Sequence, residues 1–83
     1  MGSDLMPMAF VFMNIDAGSE SEILKSLRQV PEVKESYFVY GVYDVVAKIQ
    51  TDSMDRLKEV ITWKVRRLDK IRSTLTTIVS EGK

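Results

Sequence analysis

The side chains that could do chemistry in this sequence are carboxylates, lysines, tyrosines and aliphatic hydroxyls. Its 83 residues include no histidine and no cysteine. Those absences exclude a conventional serine triad, a thiolate nucleophile, a disulfide framework and the usual ligands of zinc. No two carboxylates, and no base with a nucleophile, stand at a spacing that suggests catalysis. The sequence therefore predicts a protein that is not an enzyme and that has no metal site and no cofactor.

Charge is balanced overall but separated along the chain, which has 12 basic and 12 acidic side chains. Residues 1–55 carry four basic and nine acidic groups, a net charge of −5, and residues 56–72 carry seven basic and two acidic groups, a net charge of +5. The basic segment either binds anions or lies at the solvent-facing end of a helix, where cations complement the helix dipole. The two segments could also attract each other between subunits.

Chain length and hydropathy set the class of protein. A chain of 83 residues can build only one modest core, so we expect oligomerisation to add stability. The longest uninterrupted apolar run, Met8–Met13, is six residues long, far short of the roughly 20 that span a bilayer. We therefore predict a cytoplasmic protein that does not enter the membrane.

The first half of the chain has the pattern strand, helix, strand. Aromatic and branched residues predict a strand over Met8–Ile15, and its two apolar faces favour a central position in a sheet. Ser19 and Glu22 have the spacing of a capping box. The helix that follows is predicted to stop at Pro31, and its apolar stripe consists of Ile23, Leu24, Leu27 and Val30.

The second half repeats the pattern. Strands over Val33–Tyr40 and Tyr43–Thr51 should form a hairpin with a tight connection at Gly41–Val42. Ser53 can then cap a second helix, whose apolar positions are Met54, Leu57, Ile61, Val65 and Leu68. The threonine-rich segment Ile71–Ser80 is predicted to form the last strand.

The order β-α-β-β-α-β predicts a ferredoxin-like α+β fold, a four-stranded antiparallel sheet with two helices on one face. We expect one domain over residues 8–81, with residues 1–7 as an N-terminal extension. If Val11 faces the helices, Phe10 and Phe12 must face the uncovered side of the sheet. An apolar face of this kind predicts dimerisation through the sheets.

Trp63 is a second candidate for an oligomer interface. At 100° per residue it lies roughly 160° from the centre of the second helix's apolar stripe, which directs the indole away from the core. Exposed tryptophans are common interface anchors. The alternative is that the indole covers the surface of its own helix.

Two stretches resemble the signature segments of one regulator family. Tyr40-Gly-Val-Tyr-Asp-Val-Val-Ala-Lys48 and Ile71-Arg-Ser-Thr-Leu-Thr-Thr-Ile-Val79, together with Pro31-Glu-Val-Lys-Glu35, resemble the ligand-binding (RAM) domain of the leucine-responsive regulatory protein/AsnC (Lrp/AsnC) family. The resemblance implies a regulatory domain that binds amino acids or related metabolites, dimerises through its sheets and often forms rings of eight subunits. With about seven residues before the first strand, we expect no helix-turn-helix and no direct DNA binding.

The resemblance also implies a position for the effector site, in the turn between the second and third strands and in the last strand, commonly across a subunit boundary. The corresponding residues here are Tyr40, Gly41, Tyr43, Asp44, Thr74 and Thr76. Glycine lets backbone amides approach a carboxylate, Asp44 can accept the effector's ammonium group, and the threonine hydroxyls can complete a polar shell. The alternative is that these residues have structural roles only: Gly41 in a hairpin turn, Asp44 bonded to turn amides, and Thr74 and Thr76 as ordinary strand residues.

Two further functions compete with effector sensing. A ligand-free module could act only as an assembly partner that mixes with full-length Lrp/AsnC regulators. An RNA-recognition domain has the same fold and stacks bases on sheet aromatics, and the segments Val11–Ile15 and Tyr40–Tyr43 faintly resemble its motifs. The missing basic residue and the zero net charge disfavour RNA.

Overall fold

A computed structural model describes residues 6–80 of the chain. Most of the predicted N-terminal extension, residues 1–5, lies outside the described residues. Residue 81, the last of the predicted domain, also lies outside them. The elements follow in the order β1 (Met8–Ile15), α1 (Glu20–Arg28), β2 (Val33–Phe38), β3 (Val45–Gln50), α2 (Met54–Val60), a π-helical turn (Ile61–Val65) and β4 (Ile71–Ile78).

The four strands form one antiparallel sheet in the order β2-β3-β1-β4. This is the ferredoxin-like βαββαβ arrangement, so the predicted fold class is confirmed, as is the central position of β1. In the middle of the sheet, Phe12 of β1 lies opposite Val46 of β3 and Leu75 of β4. Residues opposite each other in antiparallel strands share a face, so these three side chains lie together.

The core lies between one face of the sheet and the two helices. Alternate residues of β1 and β3 are buried, whereas their neighbours are partly exposed. Full burial of each large aliphatic side chain stabilises the fold by about 1.5–3 kcal/mol. The buried apolar residues are Ala9, Val11, Met13, Ile15, Ile23, Leu27, Val30, Val45, Ala47, Ile49, Leu57, Val60, Ile61 and Val65.

The second helix changes its pitch where it approaches its end. The amide of Arg66 donates to the carbonyl of Ile61 at 2.9 Å, a bond across five residues rather than four. Leu57, Ile61 and Val65 are spaced by four, which drifts around a regular α-helix of 3.6 residues per turn. The wider π turn cancels this drift, and all three residues are at most 4% exposed.

Several predicted helix features are wrong. Ser19 does not form a capping box, because its hydroxyl donates instead to the Asp16 carbonyl at 2.6 Å, within the turn before α1. Helix α1 ends at Arg28 rather than at Pro31, although Val30 still reaches the core through the turn that follows. Met54 is 39% exposed, because the first side chain of a helix points back beyond its N-terminal end.

The strand boundaries also differ from the predicted ones. The β2–β3 hairpin is confirmed, but its strands stop at Phe38 and resume at Val45, so the connection is longer than the predicted Gly41–Val42 turn. Strand β4 ends at Ile78, two residues before the predicted end. Within residues 6–80, no helix is long and apolar enough to cross a membrane.

Candidate functional site

A cleft of about 420 Å³ opens at the end of the sheet where β1 stops. It is lined by residues from three strands or their ends: Asn14, Ile15, Asp44, Arg72 and Ser73. Its volume lies within the range of about 300–1,000 Å³ that is usual for small-molecule sites. The cleft is therefore our candidate functional site.

An irregularity in strand pairing positions the β4 side of the cleft. Asn14 pairs with Ser73, but the next residue, Ile15, pairs with Ile71, so Arg72 is an extra residue on β4. Such a bulge bends a strand and redirects its side chains. Opposite the bulge, the Asn14 amide donates from Nδ2 to Oγ of Ser73 at 3.1 Å. The bulge thus brings Arg72 to the same cleft as the paired Asn14 and Ser73.

Asp44 forms the β3 side of the cleft and is held by three hydrogen bonds. Its amide donates to the Met13 carbonyl at 2.9 Å, and its own carbonyl accepts from the Val39 amide at 2.9 Å. Its carboxylate accepts at Oδ2 from the Ile15 amide at 3.0 Å. The second carboxylate oxygen, Oδ1, makes no hydrogen bond within residues 6–80, so it can accept one from a ligand.

The loop before Asp44 carries three of the residues predicted to bind an effector. The bond between Val39 and Asp44 closes the four residues 40–43 into a hairpin loop. Gly41 has φ of +141°, where a side chain would be strained. Tyr40 is fully exposed, and the Tyr43 ring packs against Phe12 with 5.7 Å between ring centroids. Neither tyrosine lines the cleft, although Tyr43 directly precedes Asp44 in the chain.

The two threonines predicted to bind an effector lie on the other face of the sheet. Thr74 is opposite Met13 and Thr76 is opposite Val11, both of which are buried against the helices. The two threonines are partly buried there. The structure of a single chain therefore brings Asp44 to the cleft but not Thr74 or Thr76.

The other polar residues of the cleft are not predicted from the sequence. Asn14 and Ser73 face each other in neighbouring strands, and Arg72 precedes the threonines of β4 that are predicted to bind an effector. An asparagine near the end of an apolar strand was the available signal. The bulge that aims Arg72 has no such signal, because it depends on how β4 pairs with β1.

The candidate interface residues face the directions predicted by strand alternation for Phe10 and Phe12 and by helical periodicity for Trp63. Phe10 and Phe12 are partly exposed on the face away from the helices, where Tyr37 and Leu75 are about half exposed. Trp63 is 61% exposed, and the Arg67 guanidinium lies 4.9 Å from its ring centroid. The indole thus points away from the core, as predicted, and also stacks with its own helix.

Sequence comparison identifies the kind of regulator to which this chain is related. It is 33% identical over 72 residues to the HTH-type transcriptional regulator FL11 of Pyrococcus furiosus, covering 87% of this chain and 47% of that protein. The chain spans about half the length of the curated relatives it matches or less.

Solved structures show the same architecture. A hypothetical protein from Pyrococcus horikoshii superimposes with a TM-score of 0.85 at 42% identity, covering 93% of each chain. Escherichia coli AsnC gives a TM-score of 0.85 at 30% identity, covering 98% of this chain and 54% of AsnC. A regulator from Neisseria meningitidis in complex with L-Met shares the fold, with a TM-score of 0.81 at 16% identity over 94% of this chain and 52% of that one.

The fold and these relatives define the class: a ferredoxin-like domain of the kind found in transcription regulators. Within that class the match is specific. The family model for the Lrp/AsnC ligand binding domain matches residues 8–82, and the chain belongs to the Lrp/AsnC family.

Proposed function

We propose that this chain is a regulatory domain that binds an amino acid or a related small metabolite in the cleft between Asp44 and Arg72. The observation that carries the proposal is that an acidic residue, Asp44, and a basic residue, Arg72, line the same cleft of about 420 Å³. A free amino acid carries an ammonium group and a carboxylate. It therefore needs an acceptor with negative charge at one end and charged donors at the other.

The family supports a ligand of this class. The matched model describes a ligand binding domain, and the Neisseria meningitidis regulator of the same fold was solved with L-Met. The curated relatives are transcriptional regulators that are longer than this chain. We infer that binding changes how copies of this chain assemble, and that assembly carries the signal to transcription.

We further propose that the site is completed at a subunit interface. Asn14 and Ser73 lie on the same side of the sheet as Phe12, so a second copy packed on that face would lie next to the mouth of the cleft. Tyr40, Gly41, Tyr43, Thr74 and Thr76 do not line the cleft of one chain. Contact of the loop residues Tyr40, Gly41 and Tyr43 with an effector therefore requires a neighbouring subunit. Thr74 and Thr76 face the helix layer, away from a copy packed on this face.

A thermal-shift screen of the common amino acids tests the sensor proposal. Ligand at ten times its Kd stabilises the folded state by about 1.4 kcal/mol, which corresponds to a rise in Tm of roughly 5–10 °C for a domain of this size. Asp44→Asn is the first variant, because it keeps an oxygen for the Ile15 amide and removes the charge. Arg72→Gln is the second, and both should abolish the shift.

Matched controls separate the site from general charge effects. Asp52→Asn and Arg28→Gln remove the same charges from exposed positions outside the cleft and should respond to the ligand as the wild type does. A ligand that shifts Asp44→Asn and Arg72→Gln as fully as the wild type binds elsewhere. A wild type that responds to no amino acid rules out the sensor proposal for this class of ligand.

A ligand-free assembly module is the second candidate, because one observation favours it. Oδ2 of Asp44 already accepts the Ile15 amide, so this carboxylate has a structural role that needs no ligand. On this proposal the domain dimerises and mixes with full-length Lrp/AsnC regulators. Co-purification of a tagged full-length regulator with this chain, unchanged by added amino acids, is the expected result.

A further inference from the structure

The surface around Trp63 is unusual among the exposed parts of the helices. Trp63 lies within the π turn, which keeps Ile61 and Val65 in the core and so directs the residues between them outward. The Arg67 guanidinium lies over its ring at 4.9 Å. We call Trp63, Arg66 and Arg67 the Trp63 surface. The Trp63 ring stays exposed, and its contact with Arg67, rather than burial, fixes its orientation.

The positive charges of this surface are not neutralised within the described part of the chain. Among residues 6–80, the ion pairs of the basic segment involve Arg56, Lys64 and Lys70. Neither Arg66 nor Arg67 takes part in an ion pair there. Tryptophan and arginine are the residue types most enriched at the energetic centres of protein interfaces. The chemistry of the surface thus favours an acidic protein surface as its partner.

A matching acidic surface lies at the same end of the molecule. Asp16 and Glu20 are exposed at the start of α1, and we call them the acidic corner. The Asp16 amide donates to the Lys70 carbonyl at 2.8 Å, and Lys70 Nζ lies 3.5 Å from Glu22. These contacts place the start of α1 next to the segment that follows the π turn. Basic and acidic patches are therefore neighbours at one end of the helix layer.

We propose that two copies of this chain associate at this end about a two-fold axis, with the Trp63 surface of each copy against the acidic corner of the other. In a two-fold interface the same contact occurs twice, so neighbouring patches of opposite charge are self-complementary. The contact belongs to the helix layer, whereas the proposed sheet dimer uses the opposite face. It also includes no residue of the cleft, so it stands independently of ligand binding.

Charge reversal gives a direct test. One variant carries Arg66→Glu with Arg67→Glu, and the other carries Asp16→Lys with Glu20→Lys. A pair of identical variant chains has like charges opposite each other at both symmetric contacts. A pair made of one chain of each variant has opposite charges at both contacts. Sedimentation velocity should show the species associated through the helix layer in the wild type. This species should be lost in each variant and should return in an equimolar mixture of the two. Because the attraction is electrostatic, 0.5 M salt should weaken the wild-type association.

Two controls keep this test specific. Lys25→Glu with Lys58→Glu makes the same change in net charge as the variant with Arg66→Glu and Arg67→Glu, at exposed helix positions outside both patches, and should associate as the wild type does. Trp63→Ala should weaken the association at least tenfold while circular dichroism shows an intact fold. The proposal is wrong if the mixture is no larger than its components, if the control loses association equally, or if Trp63→Ala associates normally.

Discussion

Glu32 shows how one side chain can join separate parts of the fold. It lies between α1 and β2, its side chain is only 17% exposed, and Oε2 lies 2.8 Å from Nη2 of Arg56 on α2. Its other oxygen, Oε1, lies 3.7 Å from Lys64 Nζ in the π turn. Burial acts to raise the pKa of Glu32, but its own backbone amide and the cations Arg56 and Lys64 together lower this pKa below its ordinary value.

The lowered pKa predicts a pH-dependent contribution to stability. A carboxyl whose pKa is lower in the folded state stabilises the fold above its ordinary value of 4.5, and the contribution is lost as the pH falls through the folded pKa. Glu32→Gln should lower the free energy of unfolding by about 1 kcal/mol at pH 7, a usual cost for a partly buried charged hydrogen bond. Urea titrations from pH 7 to pH 3 should show the difference from wild type shrinking.

An Arg56→Gln background provides the control for this pair. There the Glu32 substitution should cost less at pH 7, because part of the interaction is already absent. A difference between wild type and Glu32→Gln that stays constant across the pH range would contradict the assignment.

Lys70 carries a local backbone strain that a substitution can relieve. Its φ is +75°, in the left-handed region, in the turn before β4. Left-handed backbone costs a residue with a side chain about 1–2 kcal/mol, whereas an exposed ion pair such as the one with Glu22 contributes about 0.2–1 kcal/mol. Lys70→Gly relieves this strain but loses the ion pair and increases the entropy of the unfolded chain. The net effect should be a rise in the free energy of unfolding of about 0.5 kcal/mol.

Lys70→Val provides the contrasting substitution at this position. A β-branched side chain tolerates the left-handed region least, so this variant should unfold at lower urea concentration than the wild type. Equal stability of the glycine and valine variants would show that the turn adapts to either.

The candidate site was only partly predictable from single residues. The resemblance to the family drew attention to Asp44, which does line the cleft. Arg72 was not predicted, because its direction depends on a bulge opposite Asn14 and Ile15 rather than on its own sequence neighbours. Thr74 and Thr76 were assigned without the strand register, and the register places them on the helix face.

At the scale of elements, hydrophobic spacing predicted which helices and strands form, and in what order, better than it predicted the residues at which they end. Strand β1 has the predicted bounds because apolar residues fill both of its faces. The π turn was not predicted, since a spacing of four between Leu57, Ile61 and Val65 also fits a regular helix. Only tertiary packing distinguishes the two, by requiring Val65 to return to the core.

The two predicted helix caps differ in outcome, and mutation can measure the difference. Oγ of Ser53 accepts the Arg56 amide at 3.1 Å, so Ser53→Ala should lower the free energy of unfolding by about 1 kcal/mol. Ser53→Asp should retain most of this contribution. Glu22→Gln should change stability by less than about 0.5 kcal/mol, because α1 has no capping box. Urea unfolding monitored by circular dichroism compares them, and a large cost for Glu22→Gln would contradict the observed turn.

At the scale of the whole molecule, one face of the sheet is left without cover by the described chain. The alternation in β1 that predicted this face also predicted the core, because each side chain excluded from one face must lie on the other. What alternation could not predict is how β4 and β2 extend the face with Leu75 and Tyr37. That requires the strand order, which places β1 between β3 and β4.

A single charge on this face should therefore control dimerisation through the sheets. Leu75 is 47% exposed beside Phe12, so Leu75→Lys changes the surface without opening the core. If sheets pack face to face, burying a lysine from each copy in the interface costs more than the interface can offset. In a Trp63→Ala background, which weakens the proposed contact of the helix layer, sedimentation equilibrium should then give the 9.5 kDa monomer, whereas Trp63→Ala alone gives a dimer. Met54→Lys in the same background, an equal change at a 39% exposed methionine on α2, should leave that dimer intact. A protein with both Trp63→Ala and Leu75→Lys that remains dimeric would show that this face does not hold the dimer together.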